Sequence, residues 1–190
     1  MRSLAQPHKH IVAAFVLAVG FSIPALDFAV ADEARVAELF AELQTADEVT
    51  TEALIDQISV EWSKSGSPAI DLLMQRGFDA REAGDPVRAM EHFTAAIDHA
   101  PDFAEAYNAR AEAYYMTDDI GPAVQDLAKA LELNPQHFGA QLGFAIILGE
   151  LGRDQDALDL YRRVQTILPQ HATVADAIRQ LSVMLEGQTL

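Results

Sequence analysis

His137 and His171 stand 34 residues apart, each directly after a proline and a glutamine. Two imidazoles placed this way are a conceivable metal pair. Their position between helical segments makes water-exposed loop histidines the reading adopted here. His92 and His99 fall about two turns apart on one predicted helix with no obvious third ligand. Asp118-Asp119 is read as a turn and helix cap rather than as an acid pair for catalysis. The chain contains no cysteine, which excludes a disulfide framework, a thiolate zinc site, a thiol nucleophile and a lipidated cysteine. No Gly-rich phosphate loop, zinc-protease helix or serine nucleophile elbow occurs. The expectation is therefore a protein with no catalytic residue, no cofactor and no metal.

The interval between the two histidines belongs to the whole chain. Pro101, Pro135 and Pro169 are also separated by 34 residues. Three windows follow, 70–103, 104–137 and 138–171. Their eighth positions are Gly77, Ala111 and Ala145, and their twentieth are Ala89, Ala123 and Ala157. The twenty-fourth are Phe93, Leu127 and Tyr161, and the twenty-seventh are Ala96, Ala130 and Val164. Gly84-Asp85, Asp118-Asp119 and Gly152-Arg153 share one place in each window, where a left-handed residue ends one helix and a cap starts the next. Each window thus reads as two helices, the first over about fourteen positions and the second over roughly positions seventeen to thirty.

A 34-residue helix–turn–helix unit with small residues at positions eight and twenty and a closing proline resembles the tetratricopeptide repeat (TPR). Tyr107 supplies the large aromatic this family has at position four, whereas Leu73 and Gln141 depart from it. Arg76, Arg110 and Phe144 depart from the usual leucine at position seven. The resemblance implies an all-α, right-handed superhelix of stacked antiparallel helix pairs. Hairpins of this kind are stable only when stacked, so each must bury what its neighbour exposes.

Residues 67–103, 104–137 and 138–171 are taken as the three repeats. Residues 32–66 are expected to form an N-terminal helical hairpin. Val36, Leu39, Phe40 and Leu43 line one helix and Leu54, Ile55, Ile58 and Trp62 the other. This hairpin is expected to stack on the first repeat as a cap. Ser67 is the expected N-cap of the following helix and Pro68 its first residue. The run from Trp62 to Pro68 looks like one that precedes the repeats in exported TPR proteins of unassigned function. Residues 172–190 are read as a C-terminal capping helix and tail, with Thr173 and Asp176 as a capping-box-like pair.

Residues 1–31 read as a signal peptide. Arg2 and Lys9 precede an apolar run from Ile11 to Ile23, Pro24 breaks it, and Ala29-Val30-Ala31 suits cleavage between Ala31 and Asp32. The run is short for a membrane span of about 20 residues, so no stable membrane insertion is expected after cleavage. The implied compartment is a periplasm. The alternative is an inner-membrane anchor through an uncleaved N-terminal helix. A formal net charge of −16 argues against nucleic acid and against anionic membrane surfaces as partners.

By resemblance, the first helix of each repeat lines a concave groove. Carried onto this chain, that groove includes Met74, Phe78 and Arg81, then Asn108, Glu112, Tyr115 and Met116, then Leu142 and Ile146. Arg81 is its one cation, too few for the Lys/Arg clamp with which some TPR domains hold a terminal carboxylate. An apolar trough rimmed by acids suits the apolar face of an amphipathic helix or an extended segment carrying basic residues. The expected partner is a protein or peptide held by an adaptor, assembly factor or chaperone-like scaffold. The alternative is a structural subunit or homo-oligomer whose groove is filled by its own N-terminal helices. The segment from Phe138 to Leu151 is apolar nearly all round, so something must cover it.

Overall fold

The computed structural model describes residues 26–188, with side chains from Glu33 to Gly187. The described residues are helical, without strands. Helices α1 (Leu26–Leu43) and α2 (Glu48–Trp62) form the N-terminal hairpin. Three pairs follow: α3 (Pro68–Glu82) with α4 (Pro86–His99), α5 (Ala104–Met116) with α6 (Ile120–Leu133), and α7 (Phe138–Glu150) with α8 (Asp154–Ile167). Helix α9 (Ala172–Gln188) ends the stack against α8. The apolar run Ile11–Ile23 and Pro24 lie outside the described residues. Ala31 and Asp32 fall within the backbone of α1, which begins upstream of the 32–66 hairpin expected from sequence.

The same turn chemistry recurs between the helices of each pair. Gly84, Asp118 and Gly152 all have positive φ, at +74°, +62° and +71°. Glycine reaches that region freely, whereas the Cβ of Asp118 makes the turn of the middle repeat strained. Asp85 caps α4 by accepting the Arg88 N–H at 3.0 Å. Asp119 makes no such bond and instead accepts from the Thr117 hydroxyl at 2.8 Å. Ser67 occupies the N-cap position of α3 but its side chain caps nothing. Asp71 instead accepts from the Ser65 N–H at 2.8 Å and the Ser65 hydroxyl at 2.6 Å, tying the linker to the first turn.

Small residues set the helix spacing. A Cβ placed on Gly77 would sit 2.3 Å from the Phe93 ring, so α3 and α4 close only around glycine. Ala111 and Ala145 hold the same place in the next two pairs, and both are buried. Arg110, which replaces the usual leucine, has a specific partner. Its Nε and Nη2 donate to Asp126 of α6 at 2.7 and 2.8 Å, and Nη1 donates to Thr94 at 3.1 Å. Tyr107 and Tyr114 flank the guanidinium, each ring centroid 5.8 Å away. The bidentate bond and the attraction of Asp126 hold the Arg110 pKa above its ordinary value, against the burial that opposes its charge.

The N-terminal hairpin does not cap the first repeat. Leu39, Leu43, Leu54 and Ile58 form one buried cluster with Phe138 of α7, Val164 and Leu168 of the α8 end, and Val174 of α9. Phe40, Trp62, Leu142 and Tyr161 pack against that cluster. Gln44 donates to the Ile167 carbonyl at 3.2 Å and so ties the α1 end to the third repeat. Helix α7 is apolar on two sides: Ala140, Phe144 and Ile147 pack against the middle repeat, while Phe138 and Leu142 meet the hairpin. The free end of the first repeat offers a poorer surface, with Leu72 exposed and Arg76 beside it.

Thr173 lies inside α9 rather than at its cap. His171 Nδ1 accepts the Val174 N–H at 3.4 Å, and Asp176 pairs with Arg179 instead of returning to the helix start.

Candidate functional site

Helices α3, α5 and α7 line the concave side, and α2 lies along part of it. The seam between them is built on His137, expected at an exposed loop but in fact only 2% exposed. Its Nδ1 accepts the Ala140 N–H at 3.2 Å and caps α7. An accepting Nδ1 places the proton on Nε2, which donates to Glu105 at 2.8 Å, linking α7 to α5. Trp62, the last residue of α2, stacks on the imidazole with centroids 4.5 Å apart, and its ring meets Phe138 at 4.9 Å. His171 repeats the capping role one unit later, with Nε2 3.8 Å from Glu52 of α2. Among the described residues no three metal-ligating side chains converge.

The hairpin divides the groove. On one side, α2 faces α3 and α5 across a cavity of about 500 Å³ that includes Phe78, Arg81, Glu105, Asn108 and Glu112 in its wall. Beyond it, a trough of about 440 Å³ opens between α5 and α7, with Arg81, Asn108 and Glu112 at one end. Its apolar wall comes from Tyr115, Met116, Leu142 and Ile146.

The expected groove residues divide accordingly. Asn108, Glu112, Tyr115, Met116, Leu142 and Ile146 come together at the trough, with Arg81. Phe78 faces the neighbouring cavity and meets Phe93 edge-on at 5.4 Å. Met74 does not reach the groove. It is buried in the core of the first repeat with Phe93 and Ala106. Leu142 is half-buried by the hairpin cluster, whereas Tyr115, Met116 and Ile146 are exposed.

The polar groups of the trough are mostly engaged with one another. Arg81 pairs with Glu112, and its guanidinium lies 5.2 Å from the Phe78 centroid. Tyr115 donates to Glu150 at 2.5 Å, and that bond raises the tyrosine pKa. Nearly half of the Glu112 side chain meets solvent, yet the concave walls surround it. That enclosure raises its pKa despite the pull of Arg81, and Glu105 adds to the rise. Asn108 is 5% exposed; its Nδ2 donates to Glu112 at 3.2 Å, and its Oδ1 has no hydrogen-bond partner.

Trp62 and His137 were not among the sequence-derived groove residues. Trp62 was visible as an apolar stripe residue and His137 as a repeat-position residue, but nothing local joined them.

A tetratricopeptide repeat family model matches residues 104–137, the middle helix pair. A TPR repeat-containing protein of Rhizobium etli is 32% identical over 154 residues, 80% of this chain and 76% of the relative. This chain is a tetratricopeptide-repeat protein. The mouse Tetratricopeptide repeat protein 36 is 36% identical to this TPR protein over 120 residues, which span 61% of each. Among solved structures, the first TPR of Spaghetti (RPAP3) bound to HSP90 peptide SRMEEVD superposes with a TM-score of 0.59. It is 22% identical and matches 62% of this chain and 93% of its own. That likeness concerns the fold. The family is a set of protein-interaction scaffolds, and the stacked pairs described above are its architecture.

Proposed function

We propose that this TPR protein is a non-catalytic scaffold that binds a segment of another protein in the open trough between α5 and α7. The observation that carries the reading is the exposure of Tyr115, Met116 and Ile146 along one concave, apolar surface. A solvated apolar trough with few, well-placed polar groups is the usual form of a recognition site. The structural neighbour bound to an HSP90 peptide supports a peptide as ligand class. The acidic character of that peptide does not carry over, because the one basic side chain in the trough wall, Arg81, is already paired with Glu112.

The site of action proposed is the periplasm of the producing cell, as an adaptor, assembly factor or chaperone-like holder. Arg2 and Lys9 before the run Ile11–Ile23, and Ala29-Val30-Ala31 after it, support export. A mature N-terminus at Asp32, found by sequencing the protein from the periplasmic fraction, is the expected result. An intact N-terminus in the inner membrane would establish the anchored form instead.

One observation favours a second reading, a structural subunit or homo-oligomer with its groove occupied by its own helices: α2 already covers Phe138 and part of Leu142. Size-exclusion chromatography with light scattering separates the two, since a stable oligomer favours the second, and the double substitution Tyr115→Ala with Ile146→Asp tests the first. The scaffold reading expects unchanged helicity and lost partner capture. Retained capture would move the site away from the trough.

A further inference from the structure

The polarity of the trough specifies the ligand more narrowly than its shape does. Asn108 presents a buried, unpartnered acceptor. Its amide nitrogen must face Glu112, since an ionised carboxylate only accepts, and this leaves Oδ1 without a donor. A buried acceptor without a partner is unfavourable, and a small turn of the side chain that brings it to a donor on the ligand relieves it. Beside it, Glu112 is held by a cation from within the chain, Arg81 reaching across from α3. Glu105 and Glu150 stand near the two ends, and the whole chain carries −16.

We infer that the trough reads a cation next to an apolar side chain. The occupant is an internal, extended segment of a partner protein. It places a Lys or Arg at Asn108 Oδ1 and Glu112, and a bulky aliphatic or aromatic side chain against Tyr115, Met116, Leu142 and Ile146. In the free protein Arg81 occupies the cation position and is displaced by the ligand. This inference rests on the groove reading above and fixes its ligand class. The enclosed Glu112 carboxyl, whose pKa burial raises, favours whichever cation reaches it, Arg81 in the free protein and the ligand's in the complex. Charge complementarity of this kind also speeds encounter with basic segments at low salt.

The test uses three synthetic peptides, acetylated and amidated so that neither terminus supplies a charge. One carries two leucines flanked by lysines, the second replaces the lysines with glutamates, and the third replaces the leucines with serines. Binding to the full mature protein is measured by fluorescence anisotropy, with helicity checked by circular dichroism.

The first peptide is expected to bind about tenfold or more tightly than either control. Arg81→Ala should tighten it by removing the competing cation, and Glu112→Gln should weaken it. Equal or tighter binding of the glutamate peptide, or weakening by Arg81→Ala, overturns the cation inference. If that binding is still abolished by Ile146→Asp, the groove reading survives. If no peptide binds, or binding ignores Ile146→Asp, both fail.

Discussion

Trp62 lies nearly parallel to the imidazole of His137, 4.5 Å between centroids and 27° between planes. The contact joins residues 75 positions apart in sequence, and it holds the N-terminal hairpin against the repeat stack. One ring face thereby covers the side chain that caps α7 and links it to Glu105.

Replacing Trp62 with Ala is expected to destabilise the hairpin by about 2–3 kcal/mol, somewhat below the loss for a fully buried tryptophan. The effect should be local. Amide exchange should accelerate across α1, α2 and the first turn of α7, while α3 to α6 keep their protection. Unchanged protection in α2 would show that the stacking does not hold it.

The sequence offered this docking only as an alternative to a cap on the first repeat, for a physical reason. The 34-residue interval records a constraint that every hairpin meets in the same way, so Gly77, Ala111 and Ala145 announce the stack at one register position. The hairpin meets no such repeated constraint. Its stripes at Leu39, Leu43, Leu54 and Ile58 required burial, but the choice of surface depended on Phe138 and Leu142 of α7, the most hydrophobic helix among the described residues. His137 was misread as exposed because its cover, Trp62, arrives from another part of the chain. Met74 was assigned to the groove from register alone, yet the first repeat closes over it.

Gly77→Ala is expected to destabilise the protein by about 1–3 kcal/mol, the range for overpacking, despite the better helix propensity of alanine. The added carbon meets the Phe93 ring rather than a flexible chain end. Pairing it with Phe93→Leu should recover part of the loss, measured by urea unfolding. A stabilised Gly77→Ala protein would contradict the close approach of α3 and α4.

At Asp118 the opposite sign is expected. Its φ of +62° matches the glycines at the equivalent turns, and its Cβ is strained there. Asp118→Gly should stabilise the fold by about 0.5–1 kcal/mol, since removing that strain exceeds the extra chain entropy of glycine. A lower melting temperature would mean that the aspartate makes a compensating interaction.

The raised pKa of Glu112 gives a pH dependence of definite direction. The folded protein binds this proton more tightly than the unfolded chain, so the group favours folding most at pH values below the ordinary 4.5. That contribution is lost as pH rises through the elevated folded-state value. Relative to Glu112→Gln, wild-type stability from urea unfolding should therefore fall as pH increases across this window. A wild type that gains on the variant as pH rises would show that Arg81 outweighs the enclosure of the carboxyl.

The most direct measurement is site-specific photocrosslinking in the producing cell. A benzophenone side chain at Ile146, exposed in the trough, is compared with one at Val87, more exposed still and on α4 outside it. A discrete partner adduct from position 146, absent from position 87 and lost when Tyr115→Ala is added, is the expected result. Adducts from position 87 alone, or only copies of this chain crosslinked at 146, would contradict the open-groove scaffold.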